Sequence, residues 1–232
     1  TENVTGILGL GLYKETMNAR NRLFYNGFEK IDDVDSLKPS SETFSIFGQA
    51  TLQGSTLVPW LQPLTLGIGI RTLRHNMFGS AFIYDINPTV KMVEGGMLFV
   101  VYSRGFNAPS LYELFSPEPH YLSMIIRGNK NLQAEESRSL EIGWKYDGEM
   151  FNLSVSAFQV QTENAIEFVY LWDKAIRLDT LGNDWMRDDN RGNTYLNVGT
   201  QISRGIEFSI DASVIENLQV SANFSLLRGT LS

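Results

Sequence analysis

Apolar and polar residues alternate without a break in the stretch Ile206-Glu207-Phe208-Ser209-Ile210-Asp211-Ala212-Ser213-Val214. A period of two residues is typical of a β-strand, because successive side chains of a strand point to opposite faces of the sheet. The apolar residues of this stretch therefore share one face, and its polar residues share the other. The pattern predicts a strand with one apolar and one polar side.

The same alternation resumes after the short segment Ile215-Glu216-Asn217. Two amphipathic strands that are joined by so few residues predict a hairpin. We expect the apolar residues of both strands on one face of the sheet, namely Ile206, Phe208, Ile210, Leu218, Val220 and Phe224. We expect the polar residues between them on the opposite face, namely Glu207, Ser209, Asp211, Ser221 and Asn223.

Similar alternation along the rest of the chain predicts about nine strands, each of about 10 residues or more, the length that a tilted membrane strand needs. The predicted strands are Asn3–Lys14, Glu42–Gln53, Leu61–Leu73, Gly79–Val90, Gly95–Arg104, Ser137–Asp147, Glu149–Gln161, Tyr195–Val214 and Leu218–Arg228. A two-residue turn is predicted at Asp147-Gly148, because glycine accepts a positive φ. The sequence thus predicts an all-β fold, an antiparallel up-and-down meander of long strands.

The connections between the predicted strands alternate between short and long. The short ones are Gln53–Trp60, Val90–Gly95, Asp147–Gly148 and Ile215–Asn217, and the long ones are Glu15–Ser41, Phe106–Glu136 and Thr162–Thr194, with a short exception at Arg74–Phe78. Outer-membrane barrels have short periplasmic turns and long extracellular loops. The pattern therefore favours part of a transmembrane barrel, with the apolar face toward lipid and the polar face toward the lumen.

The composition argues against several other classes of protein. The net charge of −7 argues against a nucleic-acid partner. The chain has no cysteine, so it has neither a disulfide frame nor a thiolate metal site. The first residues lack the basic start and apolar core of a signal peptide, and no apolar run reaches the 18 or so residues of a membrane-spanning helix.

Two phrases flank one of the long connections. Residues 103–110 read Ser-Arg-Gly-Phe-Asn-Ala-Pro-Ser at the end of a predicted strand, and residues 128–137 read Gly-Asn-Lys-Asn-Leu-Gln-Ala-Glu-Glu-Ser at the start of the next strand. In residue type and order these two phrases resemble sequences in the barrel of TonB-dependent outer-membrane receptors. In that family S-R-G-F-x-A-P-S ends one strand and G-N-x-x-L-x-x-E-x-S opens the returning one.

Two further phrases extend the resemblance. Leu64–Arg71 is similar to the family's L-T-L-x-x-G-x-R strand, and Asn197-Val198-Gly199 with Ser203–Glu207 is similar to its N-V-G…S-R-G-V-E strand. The resemblance implies ligand-gated, energy-coupled uptake of a scarce nutrient across the outer membrane of a Gram-negative bacterium. It implies a cargo such as an iron–siderophore complex, cobalamin or an oligosaccharide, and a protein that is not an enzyme.

The resemblance also implies partners that these residues do not supply. Such receptors carry a plug inside a barrel of about 22 strands, and they couple to an inner-membrane TonB complex. Residues 1–232 are accordingly interpreted as one partial barrel domain without a plug, an internal fragment of a larger receptor. Its expected partners are outer-membrane lipid, the plug, the remaining strands, the TonB complex and a small-molecule nutrient.

Four aromatic residues in the long connections are candidates for contact with a large ligand at the extracellular mouth: Tyr112, Phe115, Trp172 and Trp185. The alternative role for aromatic residues near a barrel rim is to anchor in the membrane interface or to pack loops. The residue types alone do not decide between these roles.

Three carboxylates, Asp184, Asp188 and Asp189, lie in a segment rich in Gly, Asn and Asp and are candidates for calcium. Calcium takes several oxygen ligands, but this spacing is not that of an EF-hand, and a solvated turn explains the composition equally. No other cofactor is predicted. His75 and His120 are far apart in sequence and suggest neither metal binding nor catalysis.

Three alternatives remain open from the residues alone: another outer-membrane barrel such as an enzyme, a porin-like barrel, or a soluble β-rich binding module. The enzyme needs a catalytic set in the lumen or at the rim, and the soluble module needs turns of similar length at both ends. An isolated sheet of this kind has two free edges and a broad apolar face. We therefore expect isolated copies to associate with one another.

Overall fold

A long antiparallel sheet dominates the computed structural model, which describes residues 3–25, 27–33, 38–116, 126–170, 193–215 and 218–232. Its elements are β1 (Val4–Thr16), β2 (Arg20–Tyr25), β3 (Phe28–Asp33), β4 (Ser40–Gln53), β5 (Leu64–His75), β6 (Gly79–Val93), β7 (Gly96–Asn107), α1 (Leu111–Phe115), β8 (Ile126–Arg127), β9 (Glu135–Asp147), β10 (Phe151–Glu163), β11 (Ile166–Tyr170), β12 (Asn193–Asn197), β13 (Gln201–Ile215) and β14 (Leu218–Leu231). Two short 3-10 turns, Gly54–Thr56 and Pro59–Leu61, connect β4 to β5. No helix in the described ranges has the length and apolar character needed to cross a membrane.

Nine strands form the main sheet in the order β1-β4-β5-β6-β7-β9-β10-β13-β14, and each is antiparallel to its neighbours. Strands that are consecutive in the sheet are also consecutive along the chain, apart from the short strands in the loops. The predicted all-β, up-and-down meander is therefore confirmed. The sheet is open, because β1 and β14 each pair on one side only within the described residues.

The register places apolar and polar residues on separate faces, as the alternation predicts. Phe208 lies opposite Phe224 and Ile210 lies opposite Ala222, whereas Ser209 lies opposite Asn223. Residues that lie directly opposite one another share a face. We call the side with Phe208 and Phe224 the apolar face and the side with Ser209 and Asn223 the polar face.

The apolar face is open to its surroundings. Leu8 is 89% exposed, Leu226 is 62% exposed and Ile142 is 53% exposed. The polar face is concave, since its side chains surround a cavity of about 700 Å³. Exposure of so many large apolar side chains costs free energy in water, and monomeric proteins seldom expose apolar patches above a few hundred Å².

The two ends of the sheet differ, as the connection lengths predict. Connections 54–63, 94–95, 148–150 and 216–217 lie at one end, which we call the turn end. Connections 17–39, 76–78, 108–134 and 164–200 lie at the other, which we call the loop end. The loops contain a hairpin of β2 and β3 and a small sheet of β11, β12 and β8, in which β8 and β12 are parallel.

Two details of the predicted strands are wrong. The predicted strand Tyr195–Val214 divides into β12, which belongs to the loop sheet, and β13, because positive-φ Gly199 interrupts the run. The turn at Asp147-Gly148 has three residues, and φ of Gly148 is not positive. The tight turn between β6 and β7 does contain a positive-φ glycine, Gly95, where an added Cβ would lie 2.3 Å from the Asp147 carbonyl oxygen.

The buried apolar side chains lie mainly outside the sheet. Leu111, Leu114, Leu132 and Ala165 are buried in the connections at the loop end, and Leu73 is near the end of β5. The sheet itself has two solvent-accessible faces, so its residues have little to pack against. The compact part of the described chain is thus the loop end, which also carries two of the predicted ligand residues, Tyr112 and Phe115.

Candidate ligand-binding rim

Helix α1 is short and is held by its first residue. The Ser110 Oγ accepts a hydrogen bond from the Glu113 backbone N–H at 3.2 Å, and the Ser110 backbone N–H donates to the Glu113 Oε2 at 2.7 Å. This reciprocal capping box satisfies two N–H groups that a helix start leaves free. The side chains of Leu111 and Leu114 are buried and anchor the helix. Helix α1 therefore holds Tyr112 and Phe115 in fixed positions at the loop end.

The backbone of the second family-like phrase, residues 128–137, contacts helix α1, which follows the first phrase, residues 103–110. The Asn129 N–H donates to the Glu113 carbonyl at 2.7 Å, and the Gly128 N–H donates to the Ser116 carbonyl at 3.2 Å. A Cβ on Gly128 would lie 2.6 Å from the Leu114 carbonyl oxygen, closer than real Cβ atoms approach. Glycine is therefore the residue that permits this backbone contact.

Side chains from one connection hold the backbone of another. The Asn197 Nδ2 donates to the carbonyls of Gln133 at 3.0 Å and of Asn164 at 2.7 Å, and the Asn197 Oδ1 accepts from the Gln133 N–H at 2.8 Å. The Asn129 Nδ2 donates to the Tyr195 carbonyl at 2.9 Å. These bonds satisfy backbone groups of the loops, and each contributes about 0.5–1.5 kcal/mol net.

A carboxylate completes this set of contacts. The Glu135 Oε1 accepts from the Ile166 N–H at 2.7 Å, and the Glu135 Oε2 accepts from the Asn107 Nδ2 at 2.7 Å. We call the side chains of Asn129, Glu135 and Asn197 the loop clamp. The clamp connects the loops after β7 and β10, so the residues of the family-like phrases hold loops together in this structure.

An aromatic cluster lies beside the clamp. The ring of Tyr195 is 6.5 Å from that of Tyr112 and 5.3 Å from that of Phe168, and Phe168 is 5.7 Å from Tyr170. We call these four residues the aromatic rim. Burial, together with the nearby Tyr112 and Glu113, raises the pKa of Tyr195, so its phenol stays protonated at neutral pH. The rim offers ring faces and phenol hydroxyls to a ligand.

Phe115 contributes to a different cavity from that of Tyr112. The Lys130 Nζ lies 5.5 Å from the centroid of the Phe115 ring, within reach of a cation–π interaction. Phe115 and Lys130 line a cavity of about 390 Å³ together with Met77, Phe78 and Leu132. Its lining is mostly apolar and carries one cation, a combination that suits an anionic ligand with apolar parts.

His75 holds the short turn beside this cavity. Its Nδ1 accepts from the N–H groups of Met77 at 3.1 Å and Phe78 at 3.3 Å, and its Nε2 lies 2.9 Å from the Ser41 Oγ. These contacts fix the turn between β5 and β6 and leave the imidazole without a free nitrogen. His75 thus has a structural role here.

Five of the predicted site residues lie outside the described residues. Trp172, Trp185 and the proposed calcium ligands Asp184, Asp188 and Asp189 fall in residues 171–192, so their roles stay predictions. Elsewhere in the described ranges, no group of three or more His, Asp or Glu side chains is placed to hold a metal ion. Sequence reasoning missed Phe168, Tyr170 and Tyr195, because their shared position depends on the pairing of β11 with β12.

The polar face carries a second candidate surface. Its cavity is lined by Glu141, Lys145 and Glu207 with several serine and asparagine side chains. The Lys145 Nζ lies 5.3 Å from the centroid of the Phe99 ring. Charges of both signs on one concave wall suit a polar protein surface or a hydrated path.

The family model described as "TonB dependent receptor-like, beta-barrel" matches residues 4–232. The ferrienterobactin receptor of Escherichia coli is 24% identical over 216 residues, which are 85% of this chain and 26% of that protein. An uncharacterized TonB-dependent receptor of Haemophilus influenzae is 31% identical over 113 residues, which are 49% of this chain and 27% of that protein. The chain therefore spans about a quarter of the length of these relatives.

Solved structures show the same fold at low sequence identity. The siderophore receptor PirA from Pseudomonas aeruginosa has a TM-score of 0.70 at 19% identity, over 99% of this chain and 40% of that chain. The copper transporter OprC has a TM-score of 0.71 at 14% identity, over 100% of this chain and 36% of that chain. Both likenesses concern the fold alone, because the identities are too low to carry over a ligand.

Proposed function

The chain belongs to the TonB-dependent receptor-like β-barrel family, and we propose that it forms part of the wall of an outer-membrane receptor that imports a scarce nutrient. The observation that carries this proposal is the separation of the sheet into one apolar and one polar face along nine strands of 12–15 residues. About 9–11 tilted residues suffice to cross a bilayer as a strand. The apolar face is then the lipid-facing surface of the wall.

The placement of the apolar face against lipid also determines what the polar face and the loops would contact. The cavity with Glu141, Lys145 and Glu207 faces the lumen, where the plug of the complete receptor would contact it. Long loops are extracellular in bacterial outer-membrane barrels, so the loop end faces the outside of a Gram-negative cell. Energy for uptake comes through the TonB complex, which contacts the receptor outside these residues.

An iron–siderophore complex is the cargo that we propose. Several similar proteins are named as receptors for ferric enterobactin or as a siderophore receptor. The aromatic rim and the cavity with Phe115 and Lys130 offer ring faces and a cation, which suit an anionic complex with apolar or planar groups. Recognition and transport need no bond-making step by the protein, so we propose no enzymatic activity.

Uptake by cells tests this function directly. Deletion of the gene that encodes the complete receptor should abolish TonB-dependent uptake of one radioiron-labelled siderophore, and the intact gene should restore it. Separated membranes should contain the receptor in the outer-membrane fraction. Uptake that continues unchanged with a whole panel of iron complexes, or a receptor absent from that fraction, would refute the proposal.

Single substitutions test the aromatic rim, through Tyr112, and the cavity with Lys130, through Phe115. Tyr112→Ala and Phe115→Ala should each weaken binding of the transported siderophore about threefold to tenfold, since a lost aromatic contact is worth about 0.5–1.5 kcal/mol. Trp60→Ala is the matched control, because Trp60 is an exposed aromatic residue at the turn end. Equal effects of all three substitutions would show that neither the aromatic rim nor the cavity with Phe115 contacts the cargo.

A further inference from the structure

The turn between β5 and β6 is held at two points. Asn76 bonds to the neighbouring strand β4, because its N–H donates to the Glu42 carbonyl at 3.0 Å and its Oδ1 accepts from the Glu42 N–H at 3.0 Å. The next two N–H groups of the turn, those of Met77 and Phe78, donate to one atom, the His75 Nδ1, at 3.1 Å and 3.3 Å. The second part of the turn therefore depends on a single imidazole nitrogen.

Only one protonation state of the imidazole makes these contacts. A nitrogen that accepts hydrogen bonds from two N–H groups carries no proton, so the proton of neutral His75 lies on Nε2. The Nε2 lies 2.9 Å from the Ser41 Oγ, which accepts from it. The imidazolium has a proton on both nitrogens and no acceptor left. Protonation of Nδ1 would thus remove both bonds to the turn at once.

The surroundings of the ring favour its neutral form. His75 ends β5 at the loop end, and none of the described ion pairs includes it. Residues 76–83 have no titratable side chain. The titratable and charged groups on the elements around the ring are Tyr13 and Glu15 on β1, Glu42 on β4, which is paired with Lys14, Arg74 on the opposite face of β5, and Lys130 in connection 108–134. Burial lowers the pKa of His75, because the charged ring would lose its water.

The two residues that His75 holds line a cavity of ligand size. Met77 and Phe78 form the part of the 390 Å³ cavity that comes from the β5–β6 turn, and Phe115 and Lys130 belong to the part from connection 108–134. The second part is held by contacts that do not involve His75, among them the capping box of α1. The shape of the cavity therefore depends on whether the turn stays in place.

We propose that neutral His75 is the positioning residue of this cavity, and that uptake of a proton from the medium by its Nδ1 releases Met77 and Phe78 and weakens ligand binding there. Asn76 keeps the first part of the turn on β4, so the release is local. The contacts to His75 are complete above its ordinary pKa of 6.5 and are lost as the pH falls below that value toward the lowered pKa. Acid would thus favour release of an anionic ligand from the cavity.

Hydrogen exchange at single amides tests the role of His75 without a ligand. The complete receptor in lipid nanodiscs is measured at about pH 7.5 and about pH 5, with rates corrected for the intrinsic effect of pH. The Met77 and Phe78 amides should lose about tenfold of their protection in acid. The Asn76 amide should keep its protection, because it bonds to the Glu42 carbonyl. Equal protection of Met77 and Phe78 at both pH values would overturn the proposal.

Matched variants separate the proton from general damage. His75→Asn keeps an acceptor, since an Asn side-chain oxygen bonds to the N–H two residues on, and it does not titrate, so it should protect the turn at both pH values. His75→Leu has no acceptor and should expose both amides at both pH values. His120→Asn removes the other histidine of residues 1–232 and should keep the wild-type pH profile. A His75→Asn variant that still loses protection in acid would overturn the proposal, and this variant keeps the test decisive if His75→Leu folds poorly.

The consequence for cargo rests on the proposed function. The probe is radioiron-labelled ferric enterobactin, the cargo in the names of two similar receptors, and its binding is measured at the same two pH values. In acid the wild-type receptor should bind about tenfold more weakly than His75→Asn, a comparison that cancels any effect of acid on the iron complex. The same pH dependence in both receptors would overturn the role of His75 in binding. Failure of the proposed function is separate, because it would appear as iron uptake that continues without the receptor, and amide exchange decides the role of His75 in either case.

Discussion

The main sheet and the loop clamp are stabilised in different ways. In the sheet, backbone ladders join strands that are consecutive or nearly so along the chain, and large side chains such as Leu8 and Leu226 remain exposed. At the loop end, Leu111 and Leu114 are buried and Asn197 bonds to Gln133, 64 residues earlier. The sheet thus depends on an external apolar medium, whereas the loop end carries its own small core.

This difference assigns separate roles to the two regions. A sheet whose apolar face needs lipid to cover it is suited to a membrane. Its backbone groups pair with neighbouring strands, and its apolar side chains contact acyl chains. A loop region with its own hydrogen bonds can hold ligand residues in place in water. The loop end can therefore stay ordered in water.

The largest effect is expected from removing the membrane altogether. The isolated 232-residue chain in detergent-free buffer should self-associate, since its apolar face and its two sheet edges are free. Light scattering should show large species that become smaller when detergent is added. A monodisperse monomer without detergent would contradict the assignment of the apolar face.

A charge on each side of one central strand tests the same contrast within the complete receptor. Val155→Arg places a cation on the apolar face and should destabilise the folded barrel by about 2–4 kcal/mol. Ser154→Arg is the matched control on the polar face, beside the large cavity. Urea unfolding in lipid vesicles measures both variants, and a similar loss in the two would contradict the two-sided wall.

The sequence predicted the sheet much better than the loop end. Alternation at residues 206–214 and 218–226 depends on local spacing alone, so strand type, face and neighbour pairing could be predicted from it. The bonds from Asn129 to Tyr195 and between Asn197 and Gln133 join residues more than 60 positions apart, and no local pattern specifies such a contact. The same holds for the aromatic rim, of which the sequence indicated Tyr112 and not Tyr195.

The loop end should lose stability when a side chain disturbs the close backbone contact at Gly128. Gly128→Ala forces a Cβ against the Leu114 carbonyl and the Ser116 N–H, so the receptor should lose about 1–3 kcal/mol at this site. Siderophore affinity should fall as well, because α1 carries Tyr112. Gly229→Ala serves as the control, since nothing lies within 4 Å of its added Cβ. Equal behaviour of the two variants would show that the close contact at Gly128 does not hold the helix.

A smaller and more local effect is expected from the clamp. Asn197→Ala removes three hydrogen bonds to the Gln133 and Asn164 backbones and should cost about 1–2 kcal/mol of local stability. Hydrogen exchange should become faster at the Gln133 amide and stay unchanged in β9 and β10. Asn223→Ala on the polar face is the control. Exchange that spreads through the main sheet would mean that the two regions are not independent.

The most direct test of the two-sided wall is a scan of single cysteines along β13. Residues 1–232 contain no cysteine, and any cysteine elsewhere in the complete receptor would first be replaced by serine. Spin labels at positions 206–211 in the complete receptor, reconstituted in bilayers, would be probed with lipid-soluble oxygen and a water-soluble nickel complex. Positions 206, 208 and 210 should favour oxygen, and positions 207, 209 and 211 should favour the nickel complex. Accessibility without this period of two, or with the opposite phase, would contradict the account.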